Sequence, residues 1–144
     1  MDTSVFSAYL DERQPERMAL TQEFWRKLKD FDIYISEITK QELEATTDPA
    51  KQKQFRKLIK GMKVLDVSKE AETLARRYTK DGTVPKKFIN DALQIAVATV
   101  NQTATVLSWN FRHMVNKKVK AKVNATNVSL NYPSVEISAP AEFI

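Results

Sequence analysis

The stretch KKFINDALQIAVATVNQTATVLSWNFRHM, residues 86–114, decides the fold class. Its first part, residues 86–100, is the most apolar helical segment of the chain, with apolar side chains recurring at the spacing of one helix face. Residues 104–108, ATVLS, follow as a short apolar run with the length and composition of a buried strand. A helix that leads directly into a buried strand is typical of α/β proteins.

The same alternation of helices and strands extends to both ends of the chain. The pattern predicts further helices over residues 3–10, 15–29, 37–46, 49–60, 69–80 and 111–120, the last of them basic. It predicts strands over residues 31–36, 63–67 and 135–138 as well as 104–108. Such an order is typical of a mainly parallel sheet with helices on both faces. Because no linker or repeat divides the chain, we expect one α/β domain over residues 1–144.

The composition excludes several kinds of functional site. The 144 residues include no cysteine, 1 histidine (His113) and 2 glycines. The lack of cysteine excludes disulfides and thiolate chemistry, and a single histidine argues against multi-histidine zinc sites. Two glycines are too few for glycine-rich phosphate-binding loops. With no signal peptide and no apolar run of about 18 residues, we expect a soluble, cytoplasmic protein that does not enter a membrane.

Basic residues outnumber acidic ones, 23 to 18, which gives a net charge of +5. A basic domain of this size is a candidate for binding a polyanion, although a lysine-rich solvated surface explains the same number. The basic residues fall into two groups, either of which could flank a nucleic-acid groove: Lys51, Lys53, Arg56, Lys57, Lys60 and Lys63, and Lys117, Lys118, Lys120 and Lys122.

Four side chains with oxygen atoms stand beside predicted strand ends or helix starts. Asp2 precedes the first helix, Glu42 lies on what we predict to be the inward face of the helix after strand 31–36, Asp91 lies early in the apolar helix, and Asn110 follows strand 104–108. Ligands of α/β sheets bind at the carboxyl ends of the strands. Together these side chains suit a hard divalent cation, Mg²⁺ or Mn²⁺, which would also offset the repulsion between the carboxylates.

Each of these side chains also has a purely structural interpretation. Asp2 and Asn110 are good helix N-caps, and Glu42 can pair with a lysine on the surface. Asp91 fits such an interpretation less well, because its helix is almost entirely apolar and burial of an unpaired carboxylate costs several kcal/mol.

Four segments resemble one known family in the same order and with similar spacing. They are DTSVFSAYL at residues 2–10, ISEITKQEL at 35–43, NDALQIAVAT at 90–99 and VLSWNFRHM at 106–114. The set resembles the PIN domains and, among them, the VapC-type ribonuclease toxins. This resemblance implies a three-layer α/β/α endoribonuclease that hydrolyses RNA with Mg²⁺ or Mn²⁺. It also implies a homodimer that is inhibited by a cognate antitoxin protein.

The resemblance assigns roles to individual residues. The family's three metal-binding acids fall on Asp2, Glu42 and Asp91, and its fourth acidic position falls on Asn110. The supporting hydroxyl positions fall on Thr3 or Ser4 and on Ser108. The residues expected to contact the RNA backbone are Arg112, Lys117 and Lys118.

Three aromatic side chains near these segments have two interpretations. Trp109, Phe111 and Tyr132 could stack on unpaired RNA bases. Packing in the core is the favoured interpretation for Trp109 and Phe111. We also expect His113 to be a structural or surface residue rather than a metal ligand.

Two features depart from the family pattern. Only Met1 precedes Asp2, whereas a strand needs about 5 residues, so we expect a truncated first strand. Either Asp2 would then be mobile, or another chain or an altered strand order would cover the open edges. The second departure is Asn110, an amide in place of a carboxylate. Both departures favour the alternative of a PIN-like RNA-binding module with impaired catalysis, and a purely structural partner-binding domain is a weaker third hypothesis.

Overall fold

A computed structural model describes all 144 residues, from Met1 to Ile144. Its α-helices are α1 (Thr3–Leu10), α2 (Pro15–Arg26), α3 (Glu37–Glu44), α4 (Pro49–Ile59), α5 (Lys69–Lys80), α6 (Ile89–Val100) and α7 (Lys117–Ser129). Its strands are β1 (Tyr34–Ser36), β2 (Lys63–Leu65), β3 (Thr105–Leu107) and β4 (Glu136–Ser138). Short 3₁₀ turns cover Leu28–Asp30, Lys86–Phe88 and Pro140–Phe143. The predicted α/β class is confirmed.

Capping residues set the starts of the central helices. Asp48 accepts hydrogen bonds from the N–H groups of Ala50 and Lys51 at the start of α4. Ser68 accepts one from the N–H of Ala71 at the start of α5. Both helices begin where the capping signals predicted them, because a side-chain acceptor there satisfies backbone donors that lack an intrahelical partner.

The sheet is divided into two parallel pairs, β1 with β2 and β3 with β4. Residues Met1 and Asp2 bridge the gap between the pairs. The amino group of Met1 donates to the carbonyl of Tyr34 at 2.7 Å, and the N–H of Asp2 donates to the carbonyl of Leu107 at 2.9 Å. Two residues are too few to pair along the full length of β1 and β3, so the predicted parallel sheet is present but interrupted.

Helices cover both faces of the strands, as the alternation along β3 shows. Val106 packs into the large core formed mainly by α5, α6 and α7. The next residue, Leu107, points to the opposite face and packs with Val5 of α1 and Phe24 of α2. Successive side chains of a strand point to opposite faces, so the helices lie in two layers with the strands between them. None of these helices is both long and apolar enough to cross a membrane.

The basic helix predicted over residues 111–120 is wrong. Residues 111–116 form turns, and α7 begins at Lys117 and continues to Ser129. The carbonyl of Asn110 accepts from the N–H groups of Met114 and Val115, which closes a compact turn. Asn116 then adopts an extended conformation, and its side chain caps α7 by accepting from the N–H of Val119. The predicted strands 31–36 and 63–67 are also shorter, three residues each, in β1 and β2.

Candidate functional site

Asp2 is held in a fixed position at the start of α1. It is only 7% exposed, and its Oδ2 accepts from the hydroxyls of Ser4 at 2.6 Å and Ser108 at 2.8 Å. Asp2 also caps α1, because the same oxygen accepts from the N–H of Ser4. Ser4 and Ser108, two of the expected supporting residues, are therefore the direct hydrogen-bond partners of Asp2.

Glu42 does not lie on the predicted inward face of its helix. Its side chain is exposed on α3, and Oε1 accepts from the hydroxyl of Thr3 at 2.9 Å. The buried face of α3 is formed instead by Ile38 and Leu43. Partial desolvation raises the pKa of Glu42, the hydrogen bond from Thr3 opposes this, and the charge of Asp2 raises the pKa further.

Asp91 lies in the first turn of α6, half-buried, where it meets Asn110. The amide nitrogen of Asn110 donates to Oδ2 of Asp91 at 3.2 Å. Burial, followed by the charges of Asp2 and Glu42, raises the pKa of Asp91 to about 6. Asn110 also acts as a cap, as its structural interpretation predicted, because its side-chain oxygen accepts from the N–H of His113 at 3.0 Å.

The acidic site carries negative charge without a basic partner. The salt bridges of the molecule involve Asp11, Asp81 and Glu136, and none includes Asp2, Glu42 or Asp91. No three acidic or histidine side chains already form a closed metal-binding arrangement. Each carboxylate is held instead by a hydroxyl or amide. Burial is the main cause of the raised pKa values of Glu42 and Asp91, and repulsion by neighbouring carboxylates adds to it. An oxygen-only donor set with uncompensated charge suits a hard divalent cation.

An aromatic and basic surface adjoins the acidic site. Trp109 is only 8% exposed and its indole N–H donates to Thr21, so the predicted core packing of Trp109 is confirmed. The same prediction is wrong for Phe111, which is 48% exposed. The guanidinium of Arg17 lies 5.1 Å from the ring centre of Trp109 and 5.9 Å from that of Phe111. Phe111 is thus an open aromatic face, one residue from Asn110.

The predicted RNA-contacting residues are all exposed. Arg112 is exposed in the turn after Asn110, and Lys117 and Lys118 are exposed in the first turn of α7. His113 stacks on Phe88 with 4.0 Å between ring centres. Burial and then the charges of Arg112 and Lys87 lower the pKa of His113, which shows the positive potential around it. Tyr132 is elsewhere, donating to Glu70 of α5.

The sequence analysis missed two features of the site. Arg17 lies far along the chain from Trp109, and nothing in its local sequence marks the contact. The other feature is a buried polar network in which Gln94 accepts from Ser36 and donates to Thr39, whose hydroxyl donates to the carbonyl of Met1. This network fixes the residue that precedes Asp2. In the sequence, the signal for this network is the presence of polar residues, Thr39 and Gln94, among apolar ones on the predicted helices.

Residues 1–113 match the family model of the PIN domain. The chain belongs to the PIN-domain family. PIN domains are generally nucleases that depend on divalent metal ions and act on RNA. No curated protein and no solved structure matches the chain significantly. The matched part of this PIN domain contains all four polar side chains of the acidic site, whereas α7 and β4 lie beyond it.

Proposed function

We propose that this PIN domain is a metal-dependent endoribonuclease. The observation that carries the proposal is that Asp2, Glu42 and Asp91 lie near enough for the charges of Asp2 and Glu42 to raise the pKa of Asp91, while no basic side chain pairs with any of the three. Repulsion of this kind is costly in a structural site and useful in one that takes up a cation.

Asp2, Glu42 and Asp91 would hold the ion, Mg²⁺ or Mn²⁺, through carboxylate oxygens. When bound, such an ion would lower the pKa of water and offset the charge that develops on a phosphodiester during hydrolysis. Because the pKa of Asp91 is about 6, protons compete with the ion at this carboxylate in mildly acidic solution.

The neighbouring polar side chains orient the three carboxylates. Ser4 and Ser108 direct Oδ2 of Asp2, and Thr3 directs Oε1 of Glu42. Asn110 directs Asp91 but adds no charge of its own. A site with three carboxylates and one amide holds a first ion more firmly than a second, since the charge available for a second ion is smaller.

The surroundings of the site favour single-stranded RNA as the substrate. The exposed ring of Phe111, the residue after Asn110, offers a stacking face, and Arg17 places a cation against it. The basic side chains that would contact the RNA backbone are Arg112, Lys117 and Lys118.

We further propose that the chain is the VapC-type toxin of a toxin–antitoxin pair and acts as a homodimer. The resemblance of the four segments at residues 2–10, 35–43, 90–99 and 106–114 supports this finer assignment. A cognate antitoxin would inhibit the enzyme.

A cleavage assay tests the proposed activity. We expect the protein to cut single-stranded RNA with Mn²⁺ or Mg²⁺ and to be inactive with a chelator. Asp91→Asn should lower the cleavage rate by at least about 100-fold while RNA retention on a filter is kept. Asp30→Asn, at an exposed position on the 3₁₀ turn Leu28–Asp30, is the matched control and should cleave normally.

The alternative is an RNA-binding PIN module with impaired catalysis. It is favoured by the absence of a closed metal-binding arrangement and by the amide at Asn110. RNA retention without cleavage at any Mn²⁺ concentration would establish this alternative and contradict the nuclease proposal. Equal cleavage by the wild type and Asp91→Asn would place the active site elsewhere.

A further inference from the structure

A buried polar network joins α6, the end of β1, α3 and the segment that leads into α1. Its three side chains, Ser36, Thr39 and Gln94, are all buried. The hydroxyl of Ser36 donates to Oε1 of Gln94 at 2.7 Å, and Nε2 of Gln94 donates to the hydroxyl of Thr39 at 2.6 Å. The hydroxyl of Thr39 donates in turn to the carbonyl of Met1 at 3.2 Å. One continuous series of hydrogen bonds therefore connects these separate elements.

Each part of this network adjoins one of the three acids. Met1 directly precedes the first acid. Thr39 lies three residues before Glu42 on α3, and Gln94 lies three residues after Asp91 on α6. Three helical residues span about 4.5 Å along the axis, so both contacts lie within one turn of an acid. Because the acids belong to three different elements, their spacing depends on how these elements are joined.

The network is fully paired. The only buried side-chain oxygen or nitrogen without a hydrogen-bond partner is the hydroxyl of Thr83, which is not part of the network. A satisfied buried network holds its members in one arrangement, since each hydrogen bond requires a narrow range of distances and angles. Apolar side chains of similar shape can fill such a space with little loss of stability. The polar side chains thus supply a defined spacing that apolar packing would not.

α6 also carries a second buried polar network, which has no such relation to the acids. Thr99 lies within hydrogen-bond distance of Tyr78 and Asn127, and the hydroxyl of Tyr78 also donates to Asn127. Thr99 is eight residues from Asp91, and its partners lie on α5 and α7, which carry no acid of the site. The two networks of α6 therefore offer a way to separate stability from positioning.

We propose that Gln94 is a positioning residue of the metal site. By joining Ser36 and Thr39, it sets the spacing of the elements that carry the three acids and so determines the affinity for a divalent cation. Gln94 acts through these elements and not as a ligand. Ions such as Mg²⁺ require nearly ideal geometry, with ligands at about 2.0–2.1 Å, so a small shift of one element weakens binding. The inference rests on the proposed metal-dependent function of the site.

Binding of Mn²⁺ to the full chain tests this inference without RNA. Electron paramagnetic resonance measures the free ion during a titration of the protein. Gln94→Met keeps the approximate volume of the side chain and removes both of its hydrogen bonds. We expect the Kd for Mn²⁺ to rise by at least about tenfold, as is usual when a residue that orients metal ligands is lost. RNA cleavage should fall at low Mn²⁺ and recover at high Mn²⁺, with an unchanged KM for RNA.

Thr99→Val is the matched control, because it removes a buried hydroxyl of the second network from the same helix. It should lower the melting temperature, as Gln94→Met does, but leave the Kd for Mn²⁺ unchanged. Thr39→Val and Thr39→Ser form a second pair. Valine lacks the hydroxyl and should weaken Mn²⁺ binding. Serine keeps the hydroxyl and should bind Mn²⁺ as the wild type does, although it loses a buried methyl group.

Three outcomes would overturn the proposal. The first is an equal affinity for Mn²⁺ in the wild type and a folded Gln94→Met. The second is an equal loss in Thr99→Val, which would mean that affinity follows overall stability. The third is a loss in Thr39→Ser as large as in Thr39→Val, and this pair also decides the question if Gln94→Met does not fold.

The same titration separates this proposal from the nuclease proposal. A wild type that binds Mn²⁺ and cuts no RNA would contradict the nuclease proposal alone, since the comparison of Mn²⁺ affinities does not involve cleavage. A wild type that binds no Mn²⁺ would contradict both.

Discussion

The surroundings of Asp91 disfavour the ionised form of its side chain. Desolvation and the carboxylates of Asp2 and Glu42 raise its pKa to about 6, above the ordinary value of 3.8. A group whose pKa is higher in the folded state binds protons more tightly there than in the unfolded state. The protein therefore loses stability at this position as the pH rises from about 4 to about 6.

We predict that Asp91→Asn stabilises the metal-free protein at pH 7.5. The expected gain in the free energy of unfolding is about 1–3 kcal/mol, because a shift of one pKa unit corresponds to about 1.4 kcal/mol. Urea unfolding at pH 7.5 and pH 4 measures it, and the gain should disappear at pH 4, where Asp91 is protonated. An equal gain at both pH values would show that its origin is packing rather than charge.

A second prediction at this scale concerns the exposed ring of Phe111. Phe111→Ala should weaken binding of single-stranded RNA by about tenfold, since stacking of one base contributes about 1–3 kcal/mol. Val128→Ala removes an even more exposed apolar side chain, on α7, and is the control that should leave binding unchanged. Fluorescence anisotropy with labelled RNA measures both. An equal loss in both variants would mean that Phe111 offers general apolar surface and no base-stacking position.

Single residues were predictable from sequence where the family pattern or a local rule applied. The segments that resemble the family contain Asp2, Glu42 and Asp91. In the structure, the charges of Asp2 and Glu42 raise the pKa of Asp91. Arg17 and the exposure of Phe111 were not predictable, because both depend on how two distant segments pack. The sequence pattern predicts burial for any aromatic residue next to a buried strand, because it carries no information about the orientation of the ring.

At the scale of elements, Asn116 connects the turn of the site to α7. Its side-chain oxygen caps α7 at Val119, and its amide nitrogen donates to the carbonyls of Phe111 and Arg112. One side chain therefore holds the turn that presents Phe111 and also starts the helix that presents Lys117 and Lys118.

We predict that Asn116→Ala lowers the free energy of unfolding by about 1 kcal/mol, the usual cost of losing an N-cap. Asn116→Asp keeps the cap acceptor and removes only the donor to the turn. Its stability should therefore lie close to that of the wild type, while exchange of the amides in residues 111–115 becomes faster. Urea unfolding and hydrogen exchange separate the two effects. If the aspartate variant is as unstable as the alanine variant, the contribution of Asn116 comes from its bonds to the turn and not from the cap.

Elements with explicit boundary signals were predicted well. The start of α5 at Lys69 followed from the cap Ser68, and the start of α4 followed from Asp48 and Pro49. The helix predicted over residues 111–120 failed because Asn110 and Asn116 both cap, and the second cap outcompetes a continuous helix from the first. Basic composition alone carried no information about where that helix begins.

At the scale of the whole molecule, the fold class was predictable and the division of the sheet was not. The alternation of helices and strands determines a parallel arrangement, which the pairing of Ile35 with Val64 and of Val106 with Ile137 confirms. Whether β1 and β3 meet depends on what lies between them, which is a long-range property. The sequence analysis expected a truncated first strand, and the structure shows a cavity of about 510 Å³ between β1 and β3, which belong to separate strand pairs.

The hydrogen bond from Ser108 to Asp2 spans 106 positions of the sequence and has a consequence for the order of events during synthesis. A ribosome makes Asp2 early, but the Ser108 hydroxyl that orients it is made 106 residues later. At about 5–20 residues per second, the two are separated by roughly 5–20 s of translation. Throughout that interval the growing polypeptide has no assembled acidic centre. A polypeptide built in this way cannot complete its acidic centre until residues 108–110 have been translated.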